Sequence, residues 1–132
     1  MKPFQESQVV IACTVRNCAT YIKTEYRKLS DAFRGFRKVD FIFVESDSTD
    51  STLPVLNGLE NKSGNISIIT LGRLEEIYPC RIERLAYCRN TYLKELNTNE
   101  AYSNAEYVAV ADLDGANHLL TSSAVELSLI HI

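Results

Sequence analysis

The chain has 132 residues, 45% hydrophobic and 23% charged, which is the composition of one globular domain with its own core and excludes a disordered or low-complexity protein. Fourteen Lys and Arg against seventeen Asp and Glu leave a net charge of -3, which excludes a broad cationic surface for nucleic acid or anionic lipid, so any phosphate site must be local. The opening MKPFQESQ lacks the apolar segment of a signal peptide and no apolar run approaches a membrane span, so a cytoplasmic chain without a transmembrane segment is expected, peripheral membrane attachment being left to a longer protein.

The first predicted element is residues 9–15 (VVIACTV), a continuous apolar run of the kind buried on both faces in a parallel sheet. From 19 to 36, Ile22, Tyr26, Leu29, Phe33 and Phe36 recur at steps of three and four, one helical stripe, with Gly35 near its end. A second strand, 39–44 (VDFIFV), runs directly into the polar stretch ESDSTDST. There a short helix should start, with Ser48, Thr49, Asp50 and Ser51 as capping types and Pro54 in its first turn. Residues 65–71 form the third strand, and over 79–96 the apolar set Ile82, Leu85, Ala86, Leu93 and Leu96 predicts the longest helix, which carries Arg81, Arg84 and Arg89. A fourth strand, 106–111, stops on Asp112, Asp114 and Gly115.

Strands alternating with helices predict an α/β fold, an open parallel sheet covered on both sides, as one domain. Ligands in such folds bind at the carboxyl ends of the strands. That rule places Thr14, Arg16 and Asn17, the stretch 45–50, and 112–115 on one rim. The cysteines, Cys13, Cys18, Cys80 and Cys88, fit neither a paired CxxC zinc site nor a CxxC redox motif and are expected as reduced core or site-lining thiols. His118 has no partner for a zinc site, and the sequons at Asn61 and Asn65 are assigned no role.

Asp112 and Asp114 are two apart, so on an extended strand end their carboxylates point the same way while Leu113 points inward. Mg²⁺ or Mn²⁺ would take them as part of an oxygen shell completed by diphosphate and water. The bland alternative is a strand ending in a turn. ESDSTDST is a cap cluster in structural terms, and Glu45 at the strand tip has a carboxylate that can accept from a nucleobase or ribose. Arginine suits bidentate phosphate contacts, but Arg81, Arg84 and Arg89, three and five apart, are not expected to share one helical face. Arg89 is the first choice to face a ligand, and at least one of the others is expected to be solvated or paired with Glu83.

With TVRN at the first tip, ESDSTDST at the second, RIERLAYCRN on the long helix and a strand ending in DLD, the chain resembles the N-terminal half of a GT-A-fold glycosyltransferase, near family 2 and the capsule-associated mannosyltransferase-like proteins, over about residues 9–117. The resemblance implies a three-layer α/β/α, Rossmann-like nucleotide-sugar-binding half-domain with a mainly parallel sheet. It implies that Thr14 and Arg16 flank the base, and that Glu45, where family 2 carries aspartate, contacts base or ribose. Arg89 would approach the diphosphate or base, Asp112 the ribose or a metal-bound water, and Asp114 would ligate Mn²⁺ or Mg²⁺, the Lewis acid for the leaving nucleoside diphosphate. The partners implied are a nucleotide-diphosphate sugar donor and, in a full-length protein, a glycan or lipid-linked acceptor. The catalytic base would lie in a missing C-terminal half, so no residue here is assigned to it.

Residues 127–132, LSLIHI, match a sequencing-adapter end translated in one frame; a donor subdomain over 1–126, incomplete at its C-terminus, and a non-native tail are expected, the fragment inactive by itself. Two other families share local features. VADLDGANHLL resembles the haloacid-dehalogenase phosphatase motif, with Asp112 as nucleophile, but that family carries the motif on its first strand and threonine where Ala116 stands. Asp47, Thr49 and Ser51 resemble the metal-ion adhesion site of von Willebrand A-type domains, a non-enzymatic binding module, which has a serine in place of Thr49.

Overall fold

A computed structural model describes residues 3–113. The elements run β1 (Gln8–Val15), α1 (Ile22–Ala32), β2 (Lys38–Glu45), α2 (Thr52–Lys62), β3 (Ile66–Thr70), α3 (Arg81–Thr98) and β4 (Tyr107–Val110). One four-stranded sheet has the order β3-β2-β1-β4, every pair parallel. This is an α/β fold on a parallel sheet, as the alternation of strands and helices predicts, and it is consistent with the Rossmann-like half-domain that the resemblance implies.

The pleat decides which helix covers which face. Val9, Ile11, Cys13 and Val15 of β1, with Phe41 and Phe43 of β2, meet Ile22 and Leu29 of α1 and Leu56 of α2. Val10, Ala12, Ile42 and Val44 point the other way, onto Cys88 and Tyr92 of α3. The central strands are therefore apolar on both sides, which is why their sequences run apolar without alternation. The outer strands differ. In β4, Val108 and Val110 are 52% and 68% exposed, because α3 packs over β1 and β2 rather than over the fourth strand.

Helix α1 is shorter at both ends than its apolar stripe predicts. At its start, Ala19 N–H donates to Asp50 Oδ2 and Cys18 N–H to Thr52 Oγ1, so residues 17–21 are held as a turn against the loop after β2. At its end the backbone turns through Phe33, Arg34 and Phe36, and Arg37 N–H donates to Ser7 O, drawing the chain into β2. Phe36 stays in the core, its ring 5.8 Å from Phe33 and 5.4 Å from Tyr107, so the burial pattern outlasts the helix.

The chain steps outward from β1 to β2 to β3, then crosses through α3 to the opposite side of β1. The strand order thus reverses between β1 and β4, and such switch points leave a crevice at the carboxyl ends of the strands.

Candidate functional site

A cavity of about 430 Å³ lies at this reversal. The β1 tip contributes Thr14, Val15, Arg16 and Cys18; the β2 tip Ser46; β4 and its exit Val110, Asp112 and Leu113. Helix α3 supplies Arg81, Arg84, Leu85, Cys88, Arg89 and Tyr92. The lining thus carries four guanidinium groups against one described carboxylate, beside an apolar surface of Leu85, Tyr92, Val110 and Leu113. Such a lining is matched to a polyanion with an apolar or planar part.

The four arginines are held differently. Arg84 donates from Nη1 to Tyr78 O at 3.0 Å and Pro79 O at 2.6 Å, fixing the turn that enters α3. Arg16 Nη2 lies 3.1 Å from Glu75 Oε2. Arg81 and Arg89 are exposed and have no side-chain partner among the described residues. The expectation that Arg81, Arg84 and Arg89 could not act from one face is corrected here, because all three line the cavity; that at least one would be solvated is met by the exposed Arg81 and Arg89, and none pairs with Glu83 among the described residues. The stripe Arg81, Arg84, Cys88, Tyr92 follows steps of three and four, Leu85 and Arg89 flank it, and long arginine side chains reach inward from the edge of that arc. The signal that finds this stripe is the spacing of the arginines from the buried Cys88, not their spacing from one another.

Of the residues singled out in the sequence, Thr14, Arg16, Arg89 and Asp112 are brought together on this lining. Glu45 is not among them. It is 2% exposed, and its carboxylate accepts from Ser48 N–H at 3.0 Å and from the Thr70 hydroxyl at 2.6 Å. The side chain is thereby committed to the turn after β2 and to its neighbour strand, and Ser46, which sequence reasoning passed over, lines the cavity from the same tip. Asp114 and His118 lie outside the described residues.

The rest of ESDSTDST serves as a fastening between loops. Asn17, in the left-handed region at φ 48°, accepts through Oδ1 from Thr49 N–H at 2.7 Å and Asp50 N–H at 3.3 Å. Asp50 accepts from the hydroxyl and N–H of Thr52, the hydroxyl first among the causes that hold its carboxyl below the ordinary range. Asp47 accepts from Glu75 N–H through Oδ1, while its buried Oδ2 has no partner among the described residues. Among the described residues there is no group of three or more His, Cys, Asp or Glu able to hold a metal, and none of Asp47, Thr49 and Ser51 lines the cavity.

Cys18 and Cys88 line the cavity as buried thiols, while Cys13 is buried in the sheet core and Cys80 is exposed. Burial pushes Cys18 up to about 11 and raises Cys88; for Cys13 burial and then the charge of Asp112 act in the same direction. Iodoacetamide at pH 8 is therefore expected to label Cys80 first and Cys13 only on unfolding, which peptide mapping by mass spectrometry checks; early labelling of Cys13 would contradict the packing.

The chain matches no family model and no curated protein sequence. No helix among the described residues is long and apolar enough to cross a membrane.

Proposed function

We propose that the cavity binds a nucleotide-diphosphate sugar and that the chain is the donor side of a GT-A-like glycosyltransferase acting on a glycan or lipid-linked acceptor. The observation that carries this reading is the convergence of Arg81, Arg84 and Arg89 from α3 with Arg16 and Asp112 at the reversal of strand order. Arg81 and Arg89, unpaired among the described residues, take the diphosphate; Leu85, Tyr92 and Val110 offer apolar surface to the base or sugar. Glu45 acts on the ligand indirectly, by fixing the turn that presents Ser46. The step of sugar transfer is assigned to no residue.

Mn²⁺ or Mg²⁺ fits this donor set as an ion that arrives with its ligand. A hard cation of this kind takes one or two carboxylates and fills its shell with phosphate oxygens and water, and Asp112 offers an exposed carboxylate at the cavity, with Asp114 the second by sequence. When bound, it would neutralise the diphosphate and stabilise the departing nucleoside diphosphate.

Titration calorimetry with UDP and GDP, with and without Mn²⁺, tests the reading. Binding is expected, metal-dependent, weakened about tenfold or about 1.4 kcal/mol by Asp112→Ala and deprived of its metal dependence by Asp114→Ala. Silence toward both nucleotides removes the proposal, and Asp112-dependent hydrolysis of p-nitrophenyl phosphate would transfer the site to phosphatase chemistry.

A further inference from the structure

We infer that Glu75 limits the affinity of this cavity for polyanions by holding Arg16 in an ion pair that the ligand must displace. The inference rests on the reading of the cavity as an anion site and adds a residue that does not line it.

Glu75 belongs to a single 3-10 turn, Leu74–Glu76, between β3 and α3. Its backbone is anchored on two sides. Leu74 is buried against the α3 face of the sheet, and Glu75 N–H donates to Asp47 Oδ1 at 3.1 Å. Asp47 in turn donates its own N–H to Gly72 O at 2.8 Å, with both residues in the left-handed region, at φ 58° and 66°. The loops after β2 and β3 are therefore tied together beside the cavity, and the tie aims the Glu75 carboxylate at Arg16, 3.1 Å away on the β1 tip.

The pair itself is weakly held. Its side chains are 43% and 42% exposed, the setting in which ion pairs are readily exchanged. Arg16 lines the cavity and Glu75 does not, so a phosphate inside competes with the carboxylate outside for one guanidinium. Arg81 and Arg89 face no such competition among the described residues. The diphosphate seated by Arg81 and Arg89 reaches Arg16 on the same lining, and to engage it must first break the pair.

The test uses the full chain and UDP and GDP as probes. Glu75→Gln is expected to bind them about three to five times more tightly than the wild type at low salt, the size of a released exposed ion pair. The gain should shrink as ionic strength rises. In an Arg16→Gln background, Glu75→Gln should bring no gain, and that coupling separates competition for Arg16 from a general change of charge. A turn merely loosened by the substitution would not tighten binding, so unchanged or weaker binding by Glu75→Gln overturns the inference, as does a gain that survives without Arg16. If the wild type binds neither probe, the anion-site reading fails and this inference with it; if the wild type binds and Glu75→Gln does not differ, the inference alone fails.

Discussion

Glu45→Ala is expected to destabilise the domain by about 3 kcal/mol, seen as a fall of about 10 °C in Tm. The carboxylate is buried and accepts two hydrogen bonds, one from the first residues of the turn (Ser48 N–H) and one from the next strand (Thr70 Oγ1). Each bond to a charged acceptor contributes about 1.5–3 kcal/mol, and truncation leaves both donors short of a partner as well as a hole where the side chain was. Relief of the desolvation suffered by the buried carboxylate offsets part of that sum. Glu45→Gln keeps the volume and one acceptor oxygen, so it should lose about 1 kcal/mol. Thermal and urea unfolding of the ligand-free protein measure both. A Glu45→Ala protein that unfolds like the wild type yet loses nucleotide binding would return Glu45 to direct ligand contact and remove its role in the turn.

The second large effect falls on binding and leaves the fold alone. Replacing Arg81 and Arg89 together by alanine is expected to weaken UDP or GDP binding by about 100-fold or more, and each singly by about tenfold, taking about 1.4 kcal/mol per factor of ten. Both guanidinium groups are exposed and without partners among the described residues, so the double variant should keep the wild-type circular dichroism and Tm. Arg84→Ala is the contrasting control, because its guanidinium supports the Tyr78 and Pro79 carbonyls, and its loss is expected to cost stability as well as affinity. Unchanged binding by the double variant would take α3 out of the site.

The layout of the fold is legible in the sequence because β1 and β2 are covered on both faces, which requires uninterrupted apolar runs, and because α1 buries the stripe its periodicity marks; in α3 the expected set fails, since Ile82, Leu85, Ala86 and Leu93 are exposed and the helix packs on the sheet through Cys88 and Tyr92 instead. Contacts distant in sequence decide the rest. Whether the Glu45 carboxylate faces a ligand or the loop depends on Thr70, which becomes its neighbour only through the parallel register of β2 and β3. Where α1 begins depends on Asp50 and Thr52, which hold Ala19 and Cys18 across 31 and 34 residues, and no local propensity carries that information. The mutual spacing of the α3 arginines misleads because it says little about how far flexible side chains reach around a helix, whereas the buried Cys88 and Tyr92 between and beyond them fix the inward direction. A rule of topology suffices to place Asp112 on the rim, and it is there because β4 pairs with β1 so that Ala12 and Val110 are in register just before the tips.

The short fourth strand carries one side of the site. Among the described residues β4 has four residues, pairs with β1 and leaves Val108 and Val110 exposed. One side of the cavity thus rests on the shortest strand of the described sheet, while the arginine-bearing side belongs to α3, which packs on the core through Cys88 and Tyr92. A ligand spanning Arg89 and Asp112, as proposed, would tie α3 to β4 across the sheet's end and stabilise the described strand by mass action.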